Sequence, residues 1–118
     1  MASERGAHMD IREETRDGVL MLTAAGRIDS NSAGELETVL PPRVQANGKV
    51  LLDLAGVPYV SSAGLRVLLM GAKAARAKGH KLVLTGLAPA VREVFDISGF
   101  SSIFAIEPDV AAGMASLG

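Results

Sequence analysis

The chain has 118 residues and a mass of 12.2 kDa, a size typical of one domain with its own hydrophobic core. Apolar residues make up 48% of it and charged residues 21%, which excludes a disordered chain. Because 12 Lys and Arg face 13 Asp and Glu, neither nucleic acid nor an anionic membrane is favoured as a partner. The absence of cysteine excludes disulfides and thiolate chemistry.

The N-terminal segment differs from the rest of the chain. Residues 1–8 are polar and have no periodicity, and residues 6–9 resemble the remnant of a cloning junction. We therefore predict an expression-tag remnant at residues 1–8 and one domain at residues 9–118. No apolar run reaches the roughly 18 residues of a membrane span, and no signal peptide is recognisable, so a cytoplasmic location is expected.

The first predicted elements are a β-hairpin and a helix. A charged edge strand, residues 11–16, pairs with an apolar strand, residues 19–25, through the turn Asp17-Gly18. A helix follows, and the S-x-x-E pattern of residues 32–35 predicts a capping box at its start. Its apolar stripe is Leu36, Val39 and Leu40. Pro41-Pro42 is expected to end it, because proline removes a helical hydrogen bond.

A buried strand and a long helix come next. Residues 49–54 form a short apolar strand, as expected inside a parallel sheet. The helix opens with the Ser pair of residues 61–64, continues to about Lys78 and ends at Gly79. Its predicted buried face is Leu65, Leu68, Leu69, Ala72 and Ala75.

The last third of the chain repeats this alternation. A strand at residues 81–85 precedes a helix from Pro89 to about Gly99, and a short strand is expected at residues 103–106. The predicted apolar face of that helix is Val91, Val94, Phe95 and Ile97. Asp109 is expected to cap a final helix that runs through residue 115. This order predicts a single α/β domain, with a mixed, mostly parallel sheet that starts with a hairpin and carries about four helices.

Motifs of catalysis are missing from the sequence. Val60 stands where a serine nucleophile elbow needs Gly, and His80 lies about 25 Å along the helix from Ser62. No nucleotide-binding loop and no metal-ligand cluster is encoded. Asp53, at a strand end, is interpreted as a partner of loop amides rather than as a catalytic base. We therefore predict a protein that is not an enzyme and that has no cofactor and no metal.

The Ser pair at the start of the long helix admits two interpretations. Ser is among the best helix N-caps, so the pair can be purely structural. Alternatively, one hydroxyl is a regulated phosphoacceptor, because a phosphate fits well near the free amides of a helix N-terminus.

Three segments in a fixed order carry a family likeness. Residues 53–65 read DLAGVPYVSSAGL, in which an apolar strand ending in Asp-Leu leads through a loop and an aromatic residue to the Ser pair. Residues 26–29 read GRID and are followed by Glu35-Leu36, and residues 89–100 read PAVREVFDISGF. Together they resemble STAS domains, in particular the bacterial anti-sigma factor antagonists, over residues 10 to about 115.

The resemblance implies a regulatory binding protein. Such a domain binds an anti-sigma factor, a serine kinase of the histidine-kinase-like ATPase class, and thereby frees a sigma factor. The kinase phosphorylates a serine at the helix start, and a PP2C-type phosphatase reverses the reaction. Carried over by motif, the phosphoacceptor is Ser62, with Ser61 as second choice, and Asp29 matches an acidic residue of the docking surface. The resemblance also implies a monomer or weak dimer.

One position departs from the family pattern. Ser61 stands where the family usually has Asp, which leaves two candidate hydroxyls. The departure keeps open a second hypothesis, a STAS scaffold module of a stress-signalling or transport assembly that is never phosphorylated.

The predicted partner-binding surface surrounds the helix start. It consists of Asp29, Ser30, Ser61, Ser62, Gly64, Arg66 and Met70. Met70 is either a partial core contact or an adaptable apolar contact for a partner. Phosphate on Ser62 would add a charge of about −1.5 to −2 beside Asp29. Such a charge is expected to weaken docking without any change of fold.

Overall fold

The computed structural model describes residues 9–118. The expected tag remnant, residues 1–8, lies outside the described residues, and that assignment stays a prediction. No helix within the described part of the chain is long and apolar enough to cross a bilayer.

Five strands form one sheet in the order β1-β2-β3-β4-β5. The strands are β1 (Asp10–Arg16), β2 (Val19–Ala25), β3 (Lys49–Gly56), β4 (Lys81–Thr85) and β5 (Ala105–Glu107). β1 and β2 pair antiparallel, and the remaining pairs are parallel. Asp17 and Gly18 both have positive φ, as a two-residue hairpin turn requires. The predicted mixed sheet with a hairpin start is therefore confirmed.

Four α-helices cover the sheet. They are α1 (Ala33–Ala46), α2 (Ser62–Lys78), α3 (Pro89–Ser98) and α4 (Val110–Leu117). The larger apolar cluster joins α1, α2 and α3 to one set of strand side chains. A smaller cluster places Leu117 of α4 against Met21, Leu51 and Val83, which alternate with the first set along their strands. Burial on both faces explains why the central strands read as continuous apolar runs.

α1 continues through Pro41 and Pro42 to Ala46, so the prediction that the prolines end it was wrong. Val44 is fully buried on the same face as Leu36 and Leu40, which holds the last turn against the core. Arg43 of that turn also forms a bidentate ion pair with Glu13 of β1, in which both N–O distances are 2.9 Å. These tertiary contacts outweigh the local preference of proline to end a helix.

The capping box predicted at Ser32 is also absent. Ser32 is the N-cap residue of α1, but its hydroxyl makes no capping hydrogen bond to the helix. Instead it donates to the carbonyl oxygen of Arg27 at 2.7 Å and accepts from the amide of Asp29 at 3.0 Å. The buried hydroxyl is used by the loop before the helix, because that loop has polar backbone groups that need partners.

α2 has the predicted bounds, with Ser61 as N-cap and Gly79 in the left-handed conformation at its C-terminal end. Its buried face is wider than predicted, since Val67 and Gly71 are buried as well. The predicted members Leu69 and Ala72 are only half-buried. A Cβ at Gly71 would lie 2.7 Å from Leu40 of α1, so the two helices are in close contact there.

The C-terminal elements differ from the prediction in detail. Ile97 of α3 is 79% exposed and does not join the core. A short 3-10 helix, Phe100–Ser102, follows the left-handed Gly99, and β5 begins only at Ala105. Phe104 is buried instead, with its ring 5.4 Å from that of Phe95. The predicted cap of α4 is confirmed, because the Asp109 carboxylate accepts from the amide of Ala112 at 2.9 Å.

Candidate docking surface at the start of α2

Backbone hydrogen bonds join the loop after β2 to the start of α2. Ile28 and Val60 form an isolated parallel bridge. The amide of Ile28 donates to the carbonyl of Tyr59 at 2.9 Å, and the amide of Ser61 donates to the carbonyl of Ile28 at 2.7 Å. Asp29 therefore lies beside the Ser pair, although Asp29 and Ser61 are 32 positions apart in the sequence.

Gly64 makes this close approach possible. It is buried in the first turn of α2, and a Cβ there would lie 2.6 Å from Cγ2 of Ile28 and 3.0 Å from Cγ1 of Val60. Gly64 thus contributes to the surface by letting the loop and helix meet, while it offers no side chain to a partner.

The two serines have different roles in the structure. The Ser61 hydroxyl accepts from the amide of Gly64 at 3.2 Å and caps α2. Ser62 is the first residue of the helix and is exposed, and within residues 9–118 its hydroxyl has no hydrogen-bond partner. The amides of Ser62 and Ala63 likewise have no backbone acceptor in that part of the chain. The predicted N-cap is thus present on Ser61, and the hydroxyl of Ser62 is accessible.

Asp29 is half-buried and carries a stable negative charge. Its carboxylate accepts from the amide of Asn31 at 2.9 Å and from that of Ser32 at 3.2 Å. These hydrogen bonds, with that of Asn31 the strongest, hold the pKa of Asp29 below its ordinary value. The Arg27 guanidinium, 3.8 Å from the carboxylate, acts in the same direction. The carboxylate is therefore ionised at neutral pH.

Sequence reasoning missed the pairing of Arg27 with Tyr59. The guanidinium carbon of Arg27 lies 4.3 Å from the centre of the Tyr59 ring, a cation–π contact. Tyr59 is 40% exposed, so the pair forms part of the surface beside the Ser pair. Both residues belong to the segments that carry the family likeness, which is the signal that could have identified them.

The remaining residues of the predicted surface are exposed beside or along α2. Ser30 is exposed in the Asp29 loop, and Arg66 is exposed one helical turn after Ser62. Met70, another turn on, is 37% exposed. Since the side chains at positions 62, 66 and 70 follow one another on the same side of the helix, they extend the surface along α2.

His80 and Asp53, the two residues that the sequence offered as possible catalytic groups, both make hydrogen bonds within the fold. His80 lies at the other end of α2, where its Nδ1 is 2.8 Å from the carbonyl of Val44. Asp53 accepts from the hydroxyl of Thr85 at 3.0 Å and from the amide of Ala55 at 3.4 Å, as expected for a structural carboxylate. Within residues 9–118, no three His, Asp or Glu side chains are placed to hold a metal ion.

The chain resembles curated proteins along most of its length. The protein BtrV of Bordetella bronchiseptica, whose name assigns it provisionally to the anti-sigma factor antagonists, is 42% identical over 109 residues, 92% of this chain and 94% of BtrV. The anti-sigma-B factor antagonist of Listeria monocytogenes is 33% identical over 100 residues, 84% of this chain and 87% of that protein.

Solved structures show the same fold. An anti-sigma factor antagonist from Mycobacterium paratuberculosis superimposes with a TM-score of 0.82 at 23% identity and covers 92% of this chain and 93% of its own. The Bacillus cell fate determinant SpoIIAA, in its phosphorylated form, gives a TM-score of 0.69 at 14% identity and covers 91% and 99%. The family model of the STAS domain matches residues 10–113. The chain therefore belongs to the STAS domain family and, within it, to the bacterial anti-sigma factor antagonists.

Proposed function

We propose that this protein binds an anti-sigma factor through the surface at the start of α2, and that phosphorylation of Ser62 abolishes this binding. The anti-sigma factor is a serine kinase, which loses its sigma factor when it binds the unmodified antagonist. A PP2C-type phosphatase restores the binding form. We further propose that the protein acts in the cytoplasm as a monomer or weak dimer and that its activity is binding, with no catalysis of its own.

The observation that carries the proposal is the exposed hydroxyl of Ser62, which has no hydrogen-bond partner within residues 9–118. A kinase can reach such a hydroxyl without unfolding the helix. Ser61 is the weaker candidate, because its hydroxyl oxygen is already engaged as the acceptor that caps α2, whereas the Ser62 hydroxyl has no such bond within residues 9–118.

Ser61 can replace the Asp that the family usually has at this position without loss of the helix cap. Asp and Ser are similarly good N-caps, so the replacement retains the helix start while it removes one negative charge. The loop carboxylate of Asp29 remains the acidic group next to the Ser pair.

The switch that we propose is electrostatic. A phosphate on Ser62 brings a charge of about −1.5 to −2 to a surface that already includes ionised Asp29. Like charges at an interface oppose association by several kcal/mol, and about 1.4 kcal/mol weakens binding tenfold. SpoIIAA, which shares the fold, has been solved in a phosphorylated form, which supports a switch that leaves the fold intact.

Calorimetry with the anti-sigma factor kinase of the host tests the proposal. We expect Ser62→Asp to bind at least about tenfold more weakly than the wild type, because the added carboxylate repels the partner. Ser62→Ala is the matched control, and it should bind like the wild type because it has no added charge. Both variants should give the circular dichroism spectrum of the wild type.

Mass spectrometry tests the assignment of the phosphoacceptor. Incubation with the same kinase and ATP should add one phosphate, which Ser62→Ala should lose. Equal affinity of Ser62→Asp and the wild type would contradict the electrostatic switch, and a phosphate on Ser61 would contradict the residue assignment. Binding without any phosphorylation would favour the scaffold module that the replacement at position 61 keeps open.

A further inference from the structure

The cations of the molecule divide into two groups. Five arginines each have a carboxylate within 4 Å: Arg12, Arg16, Arg27, Arg43 and Arg92. The remaining Lys and Arg of residues 9–118 have no such partner in that part of the chain, and four of them lie on α2, which contains no Asp or Glu. Of these four, Arg66 lies nearest in sequence to Ser62.

The spacing of Ser62 and Arg66 suits an ion pair. Side chains four residues apart on a helix lie about 5–6 Å from each other at Cβ, and a negative group that precedes a positive one is the favourable order. A guanidinium also matches a phosphate better than an ammonium does, because it donates two parallel hydrogen bonds. Both side chains are exposed, and their spacing of four residues places them on the same side of α2.

The neighbouring charged groups are already engaged. Arg27 lies 3.8 Å from the Asp29 carboxylate and stacks on Tyr59 at 4.3 Å. The carboxylate of Asp29 in turn accepts hydrogen bonds from its own loop. Arg66 is therefore the cation beside Ser62 that a new anion can recruit without breaking an existing ion pair.

We propose that Arg66 is the intramolecular counter-ion of phosphorylated Ser62. This inference rests on the proposed function for the modification itself. The phosphate then acts twice on the docking surface: it adds negative charge, and it withdraws the guanidinium that would otherwise be available to a partner. The pair also ties the first turn of α2 to the second, so the modified helix start becomes more stable.

The experiment uses protein that carries phosphoserine at position 62, incorporated during synthesis, so that no kinase is needed. The pH titration of its phosphorus NMR signal is compared between the wild type and Arg66→Gln. We expect the midpoint to lie at least about 0.3 pH unit lower in the wild type, because an adjacent cation favours the dianionic phosphate. The difference should shrink in about 1 M salt, which screens exposed ion pairs.

Two further variants make the test specific. Arg76→Gln removes another exposed cation of α2, one with no carboxylate partner within residues 9–118, that lies about four turns from Ser62. This variant should leave the midpoint at the wild-type value. Arg66→Lys keeps the positive charge but lacks the two parallel hydrogen-bond donors of the guanidinium. It should therefore give a midpoint between those of the wild type and Arg66→Gln. Gln and Arg have similar helix propensities, so the unphosphorylated forms should have the same melting temperature.

Equal midpoints in the wild type and Arg66→Gln would overturn the proposal. An equally large shift of the midpoint in Arg76→Gln would overturn it as well. That result would indicate that all the cations of α2 act on the phosphate together, without a specific pair between Arg66 and the phosphate. Neither result depends on a kinase or on an anti-sigma factor. A failure of the proposed function would instead appear as absent binding or absent modification in the experiments on Ser62.

Discussion

At position 64, a side chain of any size would collide with Ile28, whose Cγ2 atom would lie 2.6 Å from the added Cβ. Ile28 is fully buried and cannot turn away. The single glycine thus permits the close approach of α2 to the loop that carries Asp29.

We expect Gly64→Ala to lower the free energy of unfolding by about 1–3 kcal/mol, as overpacking of a core does. Urea denaturation of the variant and the wild type measures the change. Gly34→Ala is the matched control, since Gly34 lies in the first turn of α1 and no atom lies within 4 Å of a Cβ there. An unchanged stability of Gly64→Ala would show that the loop can move away from α2 at no cost.

The residues of the surface illustrate how far a sequence can be interpreted one position at a time. The sequence predicted a Ser cap for α2, because capping depends on groups within one turn. It left open which serine is the cap, and the geometry decides for Ser61. The same local rule was wrong for Ser32, whose hydroxyl bonds to the carbonyl of Arg27 across a loop instead of to its own helix.

Among the elements, α1 differs most from the helix that the sequence predicts. Pro41 and Pro42 lie inside it, where neither can donate a backbone hydrogen bond to the preceding turn. The helix persists because Val44 is buried and because Arg43 is bound to Glu13. Tertiary contacts of its last turn therefore compensate for the backbone hydrogen bonds that the two prolines remove.

Replacement of the exposed Pro42 should relieve this weakness. We expect Pro42→Ala to raise the free energy of unfolding by about 1–2 kcal/mol, because the helix regains an amide donor while the unfolded chain gains only a little entropy. Thermal and urea denaturation measure the effect. Pro108→Ala, outside any helix, should be neutral or slightly destabilising. A destabilised Pro42→Ala would mean that the ring itself packs usefully.

Over the whole molecule, three carboxylates have a pKa that lies below its ordinary value, so they make stability depend on acid. Hydrogen bonds lower the pKa of each: from Arg43 for Glu13, from the amide of Asn31 for Asp29, and chiefly from Ser101 for Asp96. The unfolded chain therefore binds protons more readily than the native one. The stability that these groups contribute is complete above their unfolded pKa values, near 4, and is lost as the pH falls through the folded values.

Glu13→Gln isolates one of these contributions, that of the ion pair between β1 and α1. We expect the variant to be less stable than the wild type at neutral pH, because Gln cannot form the ion pair with Arg43. The difference should shrink as the pH falls below the unfolded pKa of Glu and vanish once the pH has passed the lowered pKa of Glu13 in the folded protein. Urea denaturation over this pH range measures it, with Glu37→Gln on the exposed side of α1 as control. A difference that persists unchanged in acid would exclude the ion pair as its cause.

The sequence by itself determined the order of strands and helices, the hairpin turn and the presence of a Ser cap at the start of α2. It also determined the helix ends at Gly79 and Gly99 and the cap at Asp109. Each of these depends on hydrophobic periodicity or on hydrogen bonds within a few residues. The family likeness added the position of the candidate phosphoacceptor, which neither periodicity nor composition could supply.

Only the tertiary structure decided which local preferences prevail. In the folded protein, α1 continues beyond its two prolines, Ile97 is exposed, and Asp29 lies next to the Ser pair. The tertiary structure also showed that Arg27 is already engaged while Arg66 has no carboxylate partner within residues 9–118. These features depend on which segments distant in the chain pack together, and burial and ion pairing between such segments outweigh the preferences of single residues.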